Sequence, residues 1–273
     1  MPSLRVACLQ NAADQDPEIG SKEAEELARK AVGEGAELLV LPEFFSCLHL
    51  GRDGMTVGTA NQADHPELQR FQALSKELGC WLHLGSLGIT MADGRTANRA
   101  FLLDPSGEIR ATYDKIHLFD VDLSGGESYR ESDTIHPGDR AVVAETPWGG
   151  LGLSICYDLR FPHLYRQLAQ AGASMIVVPA AFTKKTGEAH WHVLLRARAI
   201  ETGCYVFAPC QYGRHGKAET YGHSLIIDPW GTVLADAGEG SGFAVADIDL
   251  DKVRQVRSMI PSLRHDRDFA AAQ

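Results

Sequence analysis

The chain has 273 residues, and 26 lysine and arginine residues against 36 aspartate and glutamate residues give it a formal charge of −10. This acidic excess argues against a nucleic-acid-binding protein, and 44% hydrophobic with 23% charged residues excludes a disordered chain. No apolar run approaches the ~18 residues of a membrane span, and the N-terminus lacks the apolar core of a secretory signal, so no membrane partner is expected.

The first half of the chain predicts strands that alternate with helices and end in a hairpin. Apolar residues recur at helical spacing after the first strand, and the continuously apolar run Glu37–Leu41 is typical of a strand buried on both faces. In chain order, the predicted elements are strand Leu4–Gln10, helix Glu18–Glu34, strand Glu37–Leu41, helix His65–Leu78, strand Trp81–Ile89, and a hairpin of Asn98–Leu103 and Glu108–Tyr113.

The second half repeats this order. The predicted elements are strand Gly150–Ile155, helix Pro162–Ala171, strand Met175–Val178, helix Ala189–Glu201, strand Tyr205–Pro209, and a final hairpin of Leu225–Ile227 and Phe243–Ile248. No linker rich in proline, serine or charge separates the halves, which favours a single domain over residues 1–273. Buried strands, hairpins and helices of moderate length together indicate an α/β architecture with two β layers covered by helices.

Cysteine and histidine spacing predicts neither disulfides nor a metal site. The six cysteines are scattered without a CxxC pair, which is typical of a reduced, cytoplasmic protein. The close histidine pair His190 and His192 has no cluster of carboxylates or cysteines in its sequence neighbourhood, so no metal is expected. Neither a GxxxxGK[ST] loop nor a GxGxxG segment after a strand is present, and no cofactor is predicted.

Cys156 stands where an apolar strand is expected to run into a polar turn and then a helix. Such a turn presents a nucleophile away from the sheet, and the amides that follow it point toward an oxyanion. The alternative is a structural cysteine, because free cysteines are among the most buried residue types. The sequence favours a nucleophilic over a structural role for Cys156 only when the other candidate residues are considered with it.

Glu43 and Lys115 lie at the ends of two other predicted strands. Burial should raise the pKa of Glu43 toward the range in which a general base works, although a capping or ion-paired glutamate is an equal alternative. Lys115 is either a solvated surface lysine or a fixed cation that stabilises a developing oxyanion and lowers the pKa of a nearby thiol. Groups at three strand ends could converge on one point.

Three segments resemble the signature segments of the nitrilase (carbon–nitrogen hydrolase) superfamily. They are LPEFF around Glu43, DKIHLFD around Lys115 and ICYDLRFP around Cys156, in the same chain order and with similar spacing. The resemblance covers essentially the whole chain. It implies a four-layer α-β-β-α sandwich that pairs into a homodimer.

The resemblance also implies roles for these residues. Glu43 would be the general base, Lys115 the oxyanion stabiliser, and Cys156 the nucleophile that forms a thioester with the acyl group. A second glutamate precedes a Pro-Gly turn ahead of the cysteine in the superfamily. Here Glu131 is the candidate for it and Glu127 is its rival.

The downstream half looks like the Nit-type amidases, which implies a small amide substrate that bears a carboxylate. Arg160 would bind that carboxylate with its guanidinium fork, Phe182 and Thr186 would line the same pocket, and the backbone amide of Tyr157 would face the oxyanion. An ion pair for Arg160 and core packing for Phe182 are the alternatives. The implied reaction cleaves deaminated glutathione to 2-oxoglutarate and Cys-Gly, a metabolite-repair step.

Other functions stay open at this point. An ω-amidase acting on α-ketoglutaramate is the nearest alternative, and nitrile hydrolysis is more distant. A Cys-His hydrolase could pair Cys156 with His117, His190 or His223, because chain order does not decide proximity. A catalytically silent binding protein with the same fold is the alternative from another class, since a fold alone does not prove an activity.

Overall fold

Two β-sheets lie face to face between two pairs of helices in the computed structural model, which describes residues 3–51, 54–123 and 128–270. The α-helices are α1 Pro17–Gly33, α2 Pro66–Leu78, α3 Pro162–Gln170, α4 Lys184–Thr202 and α5 Asp251–Met259. The strands are β1 Leu4–Gln10, β2 Leu38–Val40, β3 His49–Gly51, β4 Gly54–Thr56, β5 Thr59–Ala60, β6 Trp81–Thr90, β7 Thr96–Leu103, β8 Ile109–Asp114, β9 Asp120–Asp122, β10 Ser128–Arg130, β11 Ile135–His136, β12 Val142–Thr146, β13 Gly149–Leu153, β14 Ala173–Val177, β15 Tyr205–Ala208, β16 Tyr212–His215, β17 Ala218–Tyr221, β18 Leu225–Ile227, β19 Val233–Asp236 and β20 Gly242–Ile248.

Each sheet is built around three parallel strands that have an antiparallel neighbour on either side. The first sheet has the order β11-β7-β6-β2-β1-β20, with β5 beside β6 and β8 beside β7; β1, β2 and β6 are parallel. The second sheet has the order β12-β13-β14-β15-β18-β19, in which β13, β14 and β15 are parallel. Helices α1 and α2 contact the first sheet, and α3 and α4 contact the second.

Side-chain alternation along the strands separates two hydrophobic cores. On β1, Val6 and Cys8 pack into the core between the sheets, whereas Ala7 and Leu9 pack into the core under α1 and α2. Because successive side chains of a strand point to opposite faces, apolar residues at every position bury both faces of the sheet. The predicted four-layer α-β-β-α arrangement is therefore confirmed.

Most predicted elements occur within a few residues of their expected bounds, and β1 has the bounds that the sequence predicted. The prediction that Leu225–Ile227 and Phe243–Ile248 form a final hairpin is wrong. Strand β18 pairs with β19, while β20 crosses to the other sheet and lies antiparallel to β1. The turn Asp228–Gly231 therefore joins β18 to a strand that the sequence analysis did not predict.

Other elements were missed because they are short or contain few apolar residues. Helix α4 begins at Lys184, before the predicted Ala189, and α5 and several hairpins of three or four residues per strand were not predicted. These short hairpins stand near the ends of the main strands, where the candidate site lies. No helix within the described ranges is both long and apolar enough to cross a membrane.

An irregularity in β6 shapes the loop that carries Glu43. The register of β6 against β7 shifts between Leu84 and Leu87, which is a β-bulge. At the bulge, a Cβ on Gly85 would lie 2.1 Å from the carbonyl oxygens of both Leu41 and Pro42, so only glycine allows this close approach.

Candidate active site

Three strand ends bring a glutamate, a lysine and a cysteine to one point. Glu43 follows β2, Lys115 directly follows β8, and Cys156 follows β13. The ammonium Nζ of Lys115 lies 2.9 Å from Oε1 of Glu43, and the same carboxylate interacts with the thiol of Cys156. The three side chains are buried, with only 3% of Glu43, 2% of Lys115 and 8% of Cys156 exposed.

The turn that carries Cys156 is held by a buried carboxylate. Cys156 has a φ of 48°, a left-handed conformation that is uncommon outside glycine, and it begins a short 3₁₀ helix that ends at Arg160. The Asp158 carboxylate accepts hydrogen bonds from the Ile155 backbone N–H at 2.8 Å and the Tyr113 hydroxyl at 2.7 Å. This network maintains the strained turn, as the sharp strand-to-helix geometry requires.

Glu131 joins the cluster from the opposite side of Lys115. Its two carboxylate oxygens lie 2.9 and 2.8 Å from Nζ of Lys115, and the Phe119 backbone N–H donates to it at 2.7 Å. Its sequence rival Glu127 lies outside the described residues. One ammonium is thus shared by two buried carboxylates.

The shared ammonium sets the protonation of the cluster. Burial opposes ionisation of Glu43, but the adjacent Lys115 charge outweighs it and lowers the pKa of this carboxyl. Burial raises the pKa of Glu131, and the Glu43 charge adds to that effect. Burial alone would lower the pKa of Lys115, yet the two glutamates hold it well above its usual value. Burial, reinforced by Glu43, raises the pKa of the Cys156 thiol well above its usual range.

Two pKa directions expected from the sequence are therefore wrong. The pKa of Glu43 is lowered rather than raised, and that of the Cys156 thiol is raised rather than lowered. Lys115 lowers both pKa values; at Glu43 its charge outweighs burial, whereas at Cys156 burial and the Glu43 charge outweigh Lys115. The site consequently places a neutral thiol beside an ionised Glu43.

Three buried polar residues that the sequence analysis missed position the glutamates. The Asn98 side-chain amide donates to Glu43 at 2.9 Å and to Glu131 at 3.2 Å. Gln211 donates to the Glu43 carbonyl at 2.6 Å, and the Ser86 hydroxyl accepts from the Phe44 backbone N–H at 3.0 Å. For Asn98 and Ser86 the sequence signal was a polar residue inside an otherwise apolar strand, which alone does not reveal its partner, whereas Gln211 lies between β15 and β16.

The backbone around Glu43 is itself constrained. Phe44, the next residue, has a φ of 48°, and the Ala181 backbone N–H donates to Oε2 of Glu43 at 3.0 Å. A non-glycine residue in the left-handed region persists only where surrounding contacts enforce it. The direction of the Glu43 side chain is therefore determined by both sheets, since Ala181 follows β14.

A cavity of about 240 Å³ opens above the cluster. Tyr157, Phe182 and Thr186, all predicted to contact substrate, are among its lining residues. The side-chain hydroxyl of Thr186 lies 2.8 Å from that of Thr183. Apolar side chains line the cavity as well, among them Leu48, Leu50, Met55 and Phe119.

Arg160 is not among the residues that line this cavity, but it stacks against two that are. Its guanidinium carbon is 5.8 Å from the centre of the Tyr157 ring and 5.3 Å from that of Phe182, and both nitrogens of its fork lie 3.4 Å from Nδ1 of His190. Stacking on two rings orients a guanidinium without satisfying all of its donors. Arg160 ends the 3₁₀ turn, and α3 begins at Pro162, as the sequence predicted.

The histidines considered as partners for Cys156 contact other groups. Nδ1 of His117 lies 2.7 Å from Asp158, His190 contacts Arg160, and Nδ1 of His223 lies 3.0 Å from Asp236. The charged groups that act on the Cys156 thiol are Glu43, Lys115 and Glu131 instead. The geometry therefore supports a Cys-Glu pair over the Cys-His alternative.

Comparisons with known proteins agree with this geometry. The carbon–nitrogen hydrolase family model matches residues 5–258. A deaminated glutathione amidase from Synechocystis sp. is 44% identical over 270 residues, covering 97% of this chain and 98% of that protein.

Solved structures show the same relationship. The C. elegans NitFhit protein has a TM-score of 0.88 and 36% identity over 97% of this chain, which spans 65% of that protein. A mutant of an amidase from Nesterenkonia sp., showing covalent addition of the acetamide moiety of fluoroacetamide at its active-site cysteine, has a TM-score of 0.78 and 26% identity, covering 92% of both chains. The chain described here belongs to the carbon–nitrogen hydrolase family.

Proposed function

We propose that this enzyme is an amidase that opens an amide bond through a thioester on Cys156. The observation that carries the proposal is the buried cluster in which the Lys115 ammonium hydrogen-bonds to Glu43 and the same carboxylate interacts with the Cys156 thiol. A nucleophile, a base and a fixed cation at one point are the groups that acyl transfer needs. The covalent cysteine adduct of the Nesterenkonia amidase supports a cysteine nucleophile here.

In the proposed first step, the sulfur of Cys156 attacks the amide carbonyl while Glu43 accepts the thiol proton. Because the thiol pKa is raised and that of Glu43 is lowered, the proton transfers as the carbon–sulfur bond forms, not before it. Negative charge then grows on the carbonyl oxygen. Lys115 and the backbone N–H of Tyr157 stabilise it, and one such donor is typically worth ~10²–10³ in rate.

In the proposed second step, the tetrahedral intermediate collapses and the carbon–nitrogen bond breaks. Glu43 donates its proton to the departing amine, and a water molecule that transfers a proton to Glu43 then hydrolyses the thioester. Glu131 keeps Lys115 charged and oriented throughout, through its two contacts to Nζ. The products are a carboxylic acid, an amine and the free thiol.

The proposed substrate is deaminated glutathione, an α-keto acid amide, cleaved to 2-oxoglutarate and Cys-Gly. The relatives of that name support it, since the Synechocystis amidase aligns over nearly the whole chain. Arg160 beside the cavity would bind the substrate carboxylate, because a stacked guanidinium fork is suited to two parallel hydrogen bonds. Phe182 and Thr186 would contact the same part of the substrate.

We also propose a homodimer, formed through an exposed apolar patch. The patch consists of Ile200 on α4, Trp230, and Met259 and Ile260 at the end of α5, each between 52% and 62% exposed. Ile200 packs against Gly231, next to Trp230, and borders a surface cavity with Ile260, so the patch is continuous. Contiguous exposed apolar residues of this size commonly mark a protein interface.

The proposal applies to residues 1–273 as one hydrolase domain. The family match spans most of the chain, and residues from both sheets share one core. All six cysteines are free thiols, which supports the proposed cytoplasmic location.

Hydrolysis of deaminated glutathione, α-ketoglutaramate and glutamine should be compared on the purified protein by measuring the released amine. We expect deaminated glutathione to have the highest kcat/KM by at least ~10-fold, or 1.4 kcal/mol of transition-state discrimination. Cys156→Ser should abolish the activity. A preference for α-ketoglutaramate would make the enzyme an ω-amidase instead, and no turnover of any of the three would overturn the substrate assignment.

Replacing Arg160 tests the proposed carboxylate site. Arg160→Met should raise KM for deaminated glutathione about 10- to 100-fold with a smaller change in kcat, because it removes charged hydrogen bonds worth ~1.5–3 kcal/mol. Arg110→Met is the matched control, since the Arg110 side chain is 56% exposed on β8. Equal KM values for the two variants would contradict the assignment.

Asn98→Leu tests the positioning of the two glutamates. It removes the donor to Glu43 and Glu131, and because a hydrogen bond to a charged group is worth ~1.5–3 kcal/mol, kcat/KM should fall about 10- to 100-fold. The Asn98 side-chain oxygen is buried without a partner, but loss of the donor to two buried carboxylates should also lower the melting temperature. Exposed Asn61→Leu is the control, and thermal melting verifies both folds. A kcat/KM for Asn98→Leu within twofold of the control would rule this positioning role out.

The proposed dimer is tested by light scattering. The wild-type protein should have the mass of two chains, whereas the Ile200→Lys, Trp230→Lys double variant should have the mass of one, because buried lysines at an interface are strongly unfavourable. Ile19→Lys is the control, since Ile19 is 56% exposed on α1, outside the patch. A wild-type monomer would refute the proposed interface.

A further inference from the structure

Two histidines and an aspartate meet on the surface of the second sheet, apart from the catalytic cluster. His192 lies on α4, His223 directly precedes Ser224 and β18, and Asp236 is the last residue of β19. Nε2 of His192, Nδ1 of His223 and a carboxylate oxygen of Asp236 all lie within 4.8 Å of one another. Their side chains are 34%, 22% and 33% exposed, so solvent reaches the three groups but does not surround them.

The spacing of these atoms is that of ligands around one ion. Oxygens of Asp236 lie 3.3 Å from Nε2 of His192 and 3.0 and 3.1 Å from Nδ1 of His223. Two ligands that bind a tetrahedral zinc ion at about 2.0–2.1 Å stand about 3.3 Å apart. Both measured edges are close to that value, and the third, between the imidazoles, is within 4.8 Å.

The backbone orients the three groups in advance. His223 has a φ of 52°, and among the described non-glycine residues only Phe44 and Cys156, both at the catalytic cluster, share this left-handed conformation. The Trp191 indole N–H donates to the His223 carbonyl at 2.8 Å. Such a conformation costs energy and persists where neighbouring contacts enforce it, which is common at functional sites.

The carboxylate is held as well. The Gly238 backbone N–H donates to Oδ1 of Asp236 at 2.8 Å, and the His223 backbone N–H donates to the Gly238 carbonyl at 2.9 Å. Hydrogen bonds of this kind, made to the groups that ligate an ion, fix their orientation and increase affinity. Gly238, just after β19, thus helps to orient both His223 and Asp236.

We propose that His192, His223 and Asp236 form a binding site for a divalent transition-metal ion of the zinc class. Two imidazoles and one carboxylate suit zinc, cobalt or nickel, whereas magnesium and calcium prefer oxygen ligands alone. Three protein ligands leave a fourth position for water. The ion would tie α4 to the β18–β19 hairpin at the border of the apolar patch, where His192 and Trp230 line one surface groove.

Sequence spacing could not reveal this site. His192 was considered only with its neighbour His190, which contacts Arg160 instead. The true partners, His223 and Asp236, come from the far end of the second sheet and reach His192 only because α4 packs against β18. The expectation of no metal site rested on sequence neighbours alone.

Zinc binding to the metal-free protein should be measured by calorimetry, with magnesium as the control ion. We expect one zinc ion per chain and a zinc-dependent rise in melting temperature, since a ligand that binds only the folded state stabilises it. His192→Gln and His223→Asn should each weaken binding by more than about tenfold, because even residues that only support a metal ligand are worth that much. Asparagine tolerates the left-handed backbone at position 223.

Two further variants separate this site from other zinc-binding groups. Exposed His265→Gln and the active-site variant Cys156→Ser should both bind zinc as the wild type does. Cobalt bound to the protein should show ligand-field bands without sulfur-to-metal charge transfer, because no thiolate is a ligand. The proposal is overturned if the wild type binds no zinc, if binding persists in the His192→Gln, His223→Asn double variant, or if it is lost with Cys156→Ser.

Discussion

The ammonium group of Lys115 is the contact on which the site depends. It is buried between the carboxylates of Glu43 and Glu131, at 2.9 and 2.8 Å. A charge left unpaired in such a place would cost several kcal/mol, so neither the lysine nor its partners can be removed singly without penalty. Three segments of the chain must therefore meet at one point, and much of the surrounding structure can be understood as the means of bringing them there.

Both sheets contribute to that meeting. The first sheet supplies Glu43 and Lys115 at the ends of β2 and β8, and the second supplies Cys156 and the Ala181 amide after β13 and β14. Local irregularities complete the alignment. A bulge lets glycine approach the Glu43 loop closely, and residues on either side of the cluster adopt left-handed backbone conformations. Such departures from regular geometry are concentrated where the chain must aim a side chain.

The sequence predicted the layers and the strand ends because both depend on local patterns. Continuous apolar runs identified the buried strands, and Glu43, Lys115 and Cys156 stood where those runs ended. The roles of Asn98 and Gln211 could not be predicted, since each acts through a partner distant in the chain. The pairing of β20 with β1 was missed for the same reason. Long-range register is a property of the packed sheets, not of any segment alone.

The positions of Arg160 and the two glutamates make the cavity electrically uneven along its depth. Its floor holds two carboxylates for one ammonium, while the Arg160 guanidinium stacks on Tyr157 and Phe182, two of the lining residues. A substrate with a carboxylate at one end and an amide at the other would therefore enter with the amide leading. Hydrolysis of that amide creates a second carboxylate beside the floor. Hydrolysis thus converts a neutral amide into a carboxylate that the two glutamates at the floor repel. The change in charge couples the chemical step to product release.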